Sequence, residues 1–264
     1  MPNPLISLTT DYGTGDHLVG TLKGVILKIH PDVQIVDITH SVIAYDVLDG
    51  ALAIGAAAKF FPPRTIHVVV VDPGVGTPRR PILVSADNQY FIGPDNGVFS
   101  LIYERDPNSV VRHITSEHYF LRPISPTFHG RDIFAPVAAW LAKNSQPEAF
   151  GEPVSDFARF ALPKPKSAGG ALKGVILRAD NFGNLLTNFT ADDLPEAARK
   201  PGAAEFTVAG KPVKGLVETF ANGVANEAVA LVGSSGFIEI AVNKGSAARV
   251  LGANRGAEVV LKLS

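Results

Sequence analysis

The sequence predicts an α/β protein of two domains: an N-terminal, largely parallel α/β sandwich over residues 1–165 and a smaller C-terminal antiparallel β-barrel over residues 166–264. In the first 150 residues, segments with strand character alternate with segments of helical spacing, which indicates a parallel sheet covered by helices. Residues 162–170 are rich in Pro, Lys and Gly, as is typical of a linker. Short strand candidates dominate after it, so a small, mainly antiparallel barrel or sandwich is expected.

Three strands and two helices are predicted in the first 71 residues. The strands cover residues 4–10, 33–38 and 65–71, and the last is an almost unbroken β-branched run, as expected of a strand buried on both faces. The first helix follows Asp16, a capping residue, and repeats apolar residues at helical spacing from Leu18 to Ile29. The second helix covers residues 46–61 and ends at Pro62.

The second domain is predicted from five strand-like segments and one helix. The strands cover residues 173–178, 204–208, 229–232, 237–242 and 258–263. One short helix, near residues 192–198, interrupts them. Such a succession of short strands favours an all-β domain.

Composition excludes several classes of protein. The 264-residue chain carries 24 Lys and Arg against 25 Asp and Glu, so it lacks the basic excess of a nucleic-acid-binding protein. It has no Cys, which excludes disulfides and thiolate metal sites. Its N-terminus lacks the segments of a secretory leader, and its apolar runs are too short to span a bilayer. We therefore expect a cytoplasmic protein that binds neither nucleic acid nor membrane.

Two acidic residues follow predicted strands of the first domain. Asp11 comes after the first strand and Asp72 after the third. Because open α/β sheets bind ligands at the carboxyl ends of their strands, both are candidate site residues. Asp72 opens the segment Asp-Pro-Gly-Val-Gly-Thr-Pro-Arg-Arg, whose glycines allow tight turns that return an arginine toward the carboxylate. An ordinary turn with solvated arginines fits this segment equally well.

Three other polar segments have both a structural and a functional interpretation. His129, within the sequence Phe-His-Gly-Arg-Asp, either faces a cleft or is a cap or a buried, hydrogen-bonded residue. Residues 180–188 are typical of a hairpin turn, but their Asp, Asn and Phe side chains also suit recognition of a purine and an amino-acid group. Residues 233–237 are typical of a Gly/Ser turn. The Gly-Val-Gly at 74–76 lacks the lysine and spacing of a phosphate-binding loop, which argues against nucleoside triphosphates.

Together with Asp11, these segments resemble one family over essentially the whole chain. It is the S-adenosylmethionine hydroxide adenosyltransferases, also called adenosylmethionine hydrolases, which are related to the fluorinase and chlorinase enzymes. The resemblance implies a catalytic trio of Asp72, Arg79 and His129. The halogenating relatives typically have Tyr at the position of Asp72 and Ser at that of Gly130, so this sequence matches the water-using pattern.

The resemblance also implies how substrate is bound and how subunits assemble. Asp11 should hold the ribose hydroxyls, and Tyr45 should line the ribose pocket. Five residues should bind the methionine and adenine ends: Asp180, Phe182, Asn184, Ser234 and Asn243. Family members are trimers, whose sites lie between the N-domain of one subunit and the C-domain of its neighbour. S-adenosylmethionine is the substrate, and no cofactor or metal is implied.

These residue types suit attack by water on a sulfonium. The leaving group is a neutral thioether, so the reaction needs no general acid, and the nucleophile must be activated or held opposite sulfur. Asp72 is expected to act as a general base or to orient the water, and Arg79 and His129 to stabilise the developing hydroxide. Three alternatives stay open: a halide-dependent adenosyltransferase, a non-catalytic adenosine or S-adenosylmethionine sensor, and a hydrolase using Asp11 and Asp72 as metal ligands.

Overall fold

The computed structural model describes residues 4–199 and 204–262. The chain divides into two compact units, Met1–Ala161 and Leu162–Ser264. The outermost residues of the two predicted domains, 1–3 and 263–264, lie outside the described residues, as does the end of the strand predicted to reach Leu263. No helix in the described ranges has the length and apolar composition needed to cross a membrane.

The first unit is built on a six-stranded sheet, and the prediction of a largely parallel sheet is confirmed. Its strands are β1 (Leu5–Thr10), β2 (Gln34–Thr39), β3 (Ile66–Val70), β4 (Pro81–Ala86), β5 (Gln89–Pro94) and β6 (Val110–His113). They lie in the order β2-β1-β3-β5-β4-β6. Strands β2, β1, β3 and β5 pair in parallel, whereas β4 is antiparallel to both β5 and β6.

Helices cover both faces of this sheet, which makes the unit an α/β sandwich. They are α1 (Leu18–Ile29), α2 (Val47–Ala57), α3 (Ser100–Arg105) and α4 (Ala135–Ala142), with 3₁₀ turns at Ala58–Phe60, Glu117–Tyr119 and Pro147–Phe150. Alternate residues of β3 enter two different cores, as the period of a strand requires. Val68 packs in the core that contains α1 and α4, and Val69 in the core that contains α2 and α3.

Local signals at the two predicted helix starts are also present. The Asp16 carboxylate accepts from the Leu18 N–H at 2.9 Å, and the Asp46 carboxylate accepts from the Asp49 N–H at 3.1 Å. These bonds satisfy N–H groups that a helix leaves without an internal partner.

The second unit is a closed barrel, so of the two predicted architectures, barrel and sandwich, the barrel is confirmed. Its strands are β7 (Lys166–Ala168), β8 (Ala171–Ala179), β9 (Leu185–Thr190), β10 (Glu205–Val208), β11 (Lys211–Leu216), β12 (Ala228–Val232), β13 (Phe237–Val242) and β14 (Glu258–Lys262). Seven strands form the ring β14-β10-β11-β12-β13-β9-β8, which closes because β14 also pairs with β8. Among the strand pairs of the described residues in this unit, β11 and β12 are parallel and the others antiparallel, so the barrel is mainly antiparallel.

Several elements of this unit differ from the sequence interpretation. Part of the predicted linker is strand β7, which forms a hairpin with β8 through two glycines of positive φ, Gly169 and Gly170. Strands β9 and β11 and the helix α5 (Ala247–Leu251) were not predicted. The helix expected near residues 192–198 is instead a pair of 3₁₀ turns, Ala191–Asp193 and Glu196–Arg199, and a further turn lies at Phe220–Asn222. Strand β9 contains polar residues and β11 contains a proline, so neither has a clear strand pattern in the sequence. Pairing within the barrel stabilises both segments despite their weak local propensity.

Candidate active site

The carboxyl ends of two adjacent parallel strands bring Asp11 and Asp72 to the same cavity. Asp11 directly follows β1, and Asp72 lies two residues beyond the end of β3. Because β1 and β3 pair in parallel, their ends meet at one edge of the sheet. Both side chains line a cavity of ≈ 280 Å³, whose walls also include Tyr45 and Gly130.

Asp72, Arg79 and His129 form one hydrogen-bonded chain beside this cavity. Arg79 Nε donates to Asp72 Oδ1 at 3.0 Å, and Arg79 Nη2 donates to Asp72 Oδ2. The same Nη2 lies 2.8 Å from His129 Nδ1. The Asp72 and Arg79 side chains are only 5% and 9% exposed, so the ion pair is screened little by solvent. Structure thus places the three residues of the expected catalytic trio together.

This contact fixes the tautomer of His129. A guanidinium only donates hydrogen bonds, so His129 Nδ1 accepts, and the ring proton is on Nε2. Burial and the charge of Arg79 lower the pKa of His129, against the opposing effect of Asp72 and Asp132. A neutral imidazole with an N–H directed away from Arg79 can donate to an oxygen at the site.

Close backbone packing brings the distant His129 to Arg79. Gly76 has φ +78°, and a Cβ there would lie 2.3 Å from the carbonyl oxygen of Pro126. The turn after β3 therefore packs against the segment that leads to His129, and Gly76 is required for this approach.

The residues after His129 form a short π-helix, Gly130–Phe134, a feature often found at functional sites. Asp132 is fully buried in it and accepts from Arg131 Nε at 2.6 Å and from the Ser125 N–H at 2.8 Å. The bond from Ser125 connects the π-helix to the preceding loop. The ring of Phe134 lies 5.4 Å from the Arg79 guanidinium, so the same element also contacts Arg79.

Asp11 and Tyr45 are connected through the backbone. Asp11 Oδ2 accepts from the Tyr45 N–H at 2.8 Å. Burial, with a contribution from Asp72, raises the pKa of Asp11, and the bond from Tyr45 opposes this rise. Tyr45 has φ 66°, and its side chain is 75% exposed although it borders the cavity. One oxygen of Asp11 therefore has no partner from Tyr45 and can accept from a ligand.

The second unit has its own cavity, of ≈ 770 Å³, lined by four of the five residues expected to bind the substrate ends. Asp180, Phe182, Asn184 and Ser234 line it. Asn243 is not among its lining residues, and its side-chain amide donates to the carbonyl oxygen of Gly223 at 3.1 Å.

Asp180 organises the hairpin between β8 and β9. One carboxylate oxygen accepts from the N–H groups of Phe182 and Asn184, at 2.9 Å and 2.8 Å, and the other accepts from the Asn184 side-chain amide at 2.9 Å. The backbone carbonyl oxygen of Asn184 accepts from the Asp180 N–H at 2.9 Å, so the side-chain oxygen Oδ1 is the acceptor that Asn184 keeps for a ligand. Phe182 is 79% exposed. The Asp180 carboxylate is thus engaged within the turn, as the hairpin interpretation predicted, and Asp180 also lines the cavity.

Among the cavity-lining residues that the sequence analysis did not single out, two carry titratable groups of interest. Tyr12 lines the first cavity, and the signal for it was its place next to Asp11. Glu239 lines the second, and burial together with the charge of Asp180 raises its pKa. An acidic residue within the apolar run Phe-Ile-Glu-Ile-Ala-Val was the available signal. Within the described ranges, no group of three His, Asp or Glu side chains is placed to hold a metal ion.

Comparisons with known proteins place the chain in a family. The models of the SAM hydroxide adenosyltransferase N-terminal and C-terminal domains match residues 6–151 and 174–260. A protein of Salinispora tropica named (R)-S-adenosyl-L-methionine hydrolase is 35% identical, covering 97% of this chain and 96% of its own length. A fluorinase of an Actinoplanes species is 31% identical, covering 91% of each. A crystal structure of an uncharacterized conserved protein from Thermotoga maritima superposes with a TM-score of 0.89 at 35% identity, covering 97% of this chain and 99% of that one. The chain belongs to the SAM hydroxide adenosyltransferase family.

Proposed function

We propose that this protein hydrolyses S-adenosyl-L-methionine to adenosine and L-methionine, by attack of water on the 5′ carbon of the ribose. The observation that supports this most is the hydrogen-bonded chain of Asp72, Arg79 and His129, whose Asp72 lines the same cavity as Asp11. It combines a carboxylate for water, two donors for developing negative charge and a second carboxylate for sugar hydroxyls.

The chemistry follows from the charges of the reactants. As the oxygen–carbon bond forms, the electron pair of the carbon–sulfur bond passes to sulfur, and a neutral thioether leaves. Asp72 orients the water and takes up its proton, a role typically worth about 10²–10⁴-fold in rate. His129 donates through Nε2 to the same oxygen. Arg79 Nη1 is buried and has no protein partner in the described ranges, so it is a further donor. We propose no metal or cofactor, because the leaving group needs no Lewis acid.

Substrate binding is assigned to both cavities. Asp11 accepts from the ribose hydroxyls through the oxygen that Tyr45 does not use. The methionine and adenine ends bind the second unit through the four lining residues Asp180, Phe182, Asn184 and Ser234. Asn243 acts on substrate binding indirectly: its side-chain amide donates to the Gly223 carbonyl oxygen and so holds the backbone there in place.

A halide-dependent adenosyltransferase is the second candidate, because a fluorinase is among the relatives. The carboxylate of Asp72 disfavours it, since an anion beside an anionic nucleophile is repelled. Arg79 neutralises part of that charge, so the two reactions are distinguished by identifying the products.

We also propose a homotrimer with its sites at subunit interfaces, and a cytoplasmic location, where S-adenosylmethionine is made and used. The trimer rests on the family resemblance and on the distribution of candidate residues between two separate units of the chain.

The experiment is incubation of the protein with each sulfur epimer of S-adenosylmethionine, followed by chromatography. The (R) epimer is included because a relative from Salinispora tropica is named (R)-S-adenosyl-L-methionine hydrolase. Adenosine and methionine should appear in equal amounts, in the presence of a chelator and at any chloride concentration. Formation of 5′-chloro-5′-deoxyadenosine would support the halide reaction, loss of activity with chelator would support a metal, and binding without turnover would support a sensor.

A further inference from the structure

Tyr12 lies at the wall of the catalytic cavity although the trio does not include it. It lines the cavity with Asp11, Asp72 and Gly130. Its ring meets the Phe128 ring edge-on, with centroids 5.9 Å apart, and packs against the core that contains α1 and α4. The ring is therefore held in place from the side of the core, and the phenol oxygen is its end at the cavity.

The phenol oxygen occupies the space in which a side chain at position 130 would begin. A Cβ built on Gly130 would lie 2.6 Å from Tyr12 Oη, closer than such atoms approach in folded proteins. Any residue other than glycine at 130 must displace the phenol. Tyr12 and Gly130 are thus coupled by shape at the wall of the cavity.

The Tyr12 hydroxyl is also an available donor. Within residues 4–199 and 204–262 it makes no side-chain hydrogen bond, whereas the Tyr12 backbone N–H donates to Thr10. Burial, followed by the charges of Asp11 and Asp72, raises the pKa of the phenol, so it stays protonated at any working pH. A protonated phenol beside two carboxylates donates to an acceptor in the cavity.

We propose that Tyr12 holds the attacking water through its phenol O–H, and that its contact with Gly130 fixes where that water lies. This rests on the proposed function and adds a fourth group to the trio. The water accepts from Tyr12, which aligns a lone pair, and it donates toward Asp72. When the oxygen attacks the 5′ carbon, its proton passes to Asp72, the carbon–sulfur electron pair passes to sulfur, and Tyr12 keeps its own proton throughout.

The test uses the full-length protein and four variants: Tyr12→Phe, Gly130→Ala, the double variant, and Tyr90→Phe as a control. Tyr90 is the matched tyrosine because it lies in β5, outside the lining of the catalytic cavity. Tyr12→Phe should lower kcat about tenfold, as expected for loss of one hydrogen bond to a reacting oxygen, with KM changed less than twofold. Tyr90→Phe should leave kcat unchanged.

The steric contact between Tyr12 and Gly130 is tested by the melting temperature, which does not depend on the reaction. Gly130→Ala should lower Tm, and adding Tyr12→Phe should restore most of it, because the substitution removes the clashing oxygen; kcat of the double variant should stay low. Full kcat in Tyr12→Phe, or an equal change of kcat and KM, would overturn the water-holding role. Equal Tm loss in Gly130→Ala with and without Tyr12→Phe would overturn the coupling. Failure of the parent protein to consume substrate would instead refute the proposed function.

Discussion

At the scale of single residues, Asp72 is the group on which the mechanism depends. Asp72→Asn keeps the shape of the side chain but removes its charge and most of its capacity to take a proton. We predict that kcat falls by at least about 10²-fold, as is typical for loss of a general base, while KM changes little because water is the partner of Asp72.

Asp95→Asn is the matched control for Asp72→Asn. Asp95 is also paired with an arginine, since Arg80 Nε donates to it at 2.8 Å, and its side chain is equally buried, at 5% exposed. Asp95→Asn should lower stability and leave kcat unchanged. Steady-state kinetics well below both melting temperatures checks this, and equal kcat in Asp72→Asn and the parent would contradict the assignment.

We expect protonation of His129 to make activity sensitive to acid. Burial and Arg79 lower the pKa of its imidazole below the ordinary value of about 6.5. A group whose folded-state pKa is depressed contributes stability that is present above the unfolded-state pKa and is lost as pH falls through the folded-state pKa. Protonation of Nδ1 also breaks its bond with Arg79.

We therefore predict an acid limb in the pH profile of kcat/KM with a midpoint below about 6.5. His129→Gln should reduce kcat/KM at neutral pH and remove or shift that limb. The measurement is the profile between about pH 4.5 and 8, and a limb centred above about 6.5 would contradict a neutral, Arg79-bound imidazole.

At the scale of elements, the sequence allowed the sheet edge to be predicted better than the contacts across it. Asp11 and Asp72 could be placed together because each follows a strand of a parallel sheet, and that geometry is general. The sequence was compatible both with an arginine that contacts Asp72 and with a turn whose arginines are solvated, because a separation of seven residues does not decide between them. The structure has the contact, a bidentate pair of Arg79 with Asp72. The family resemblance supplied that choice.

Other contacts depend on packing that local patterns do not encode. His129 lies 50 residues from Arg79 in the chain, and the approach of Gly76 to Pro126 joins the two segments. The π-helix has no sequence signature of its own, so the role of Asp132 was not predictable. In the barrel, β11 contains Pro212, which is unfavourable within a strand, and it was therefore not predicted as one. Its parallel pairing with β12 has no local sequence signal.

At the scale of the whole molecule, the candidate residues are divided between two units. The trio and Asp11 belong to the first unit, and the residues expected to bind the methionine and adenine ends belong to the second. If sites form between subunits, activity requires assembly. We predict a trimer by sedimentation equilibrium, with specific activity falling when the protein is diluted below the concentration at which the trimer dissociates. A monomer that is fully active at assay concentration would contradict the trimer.

The claim that water attacks the 5′ carbon is tested most directly by running the reaction in ¹⁸O-labelled water and measuring the ¹⁸O content of the products by mass spectrometry. Adenosine should carry one ¹⁸O at its 5′ hydroxyl, and methionine should carry none beyond background, because the carbon–sulfur bond breaks on the ribose side. Adenosine without label, or products cleaved at a different bond, would contradict the account.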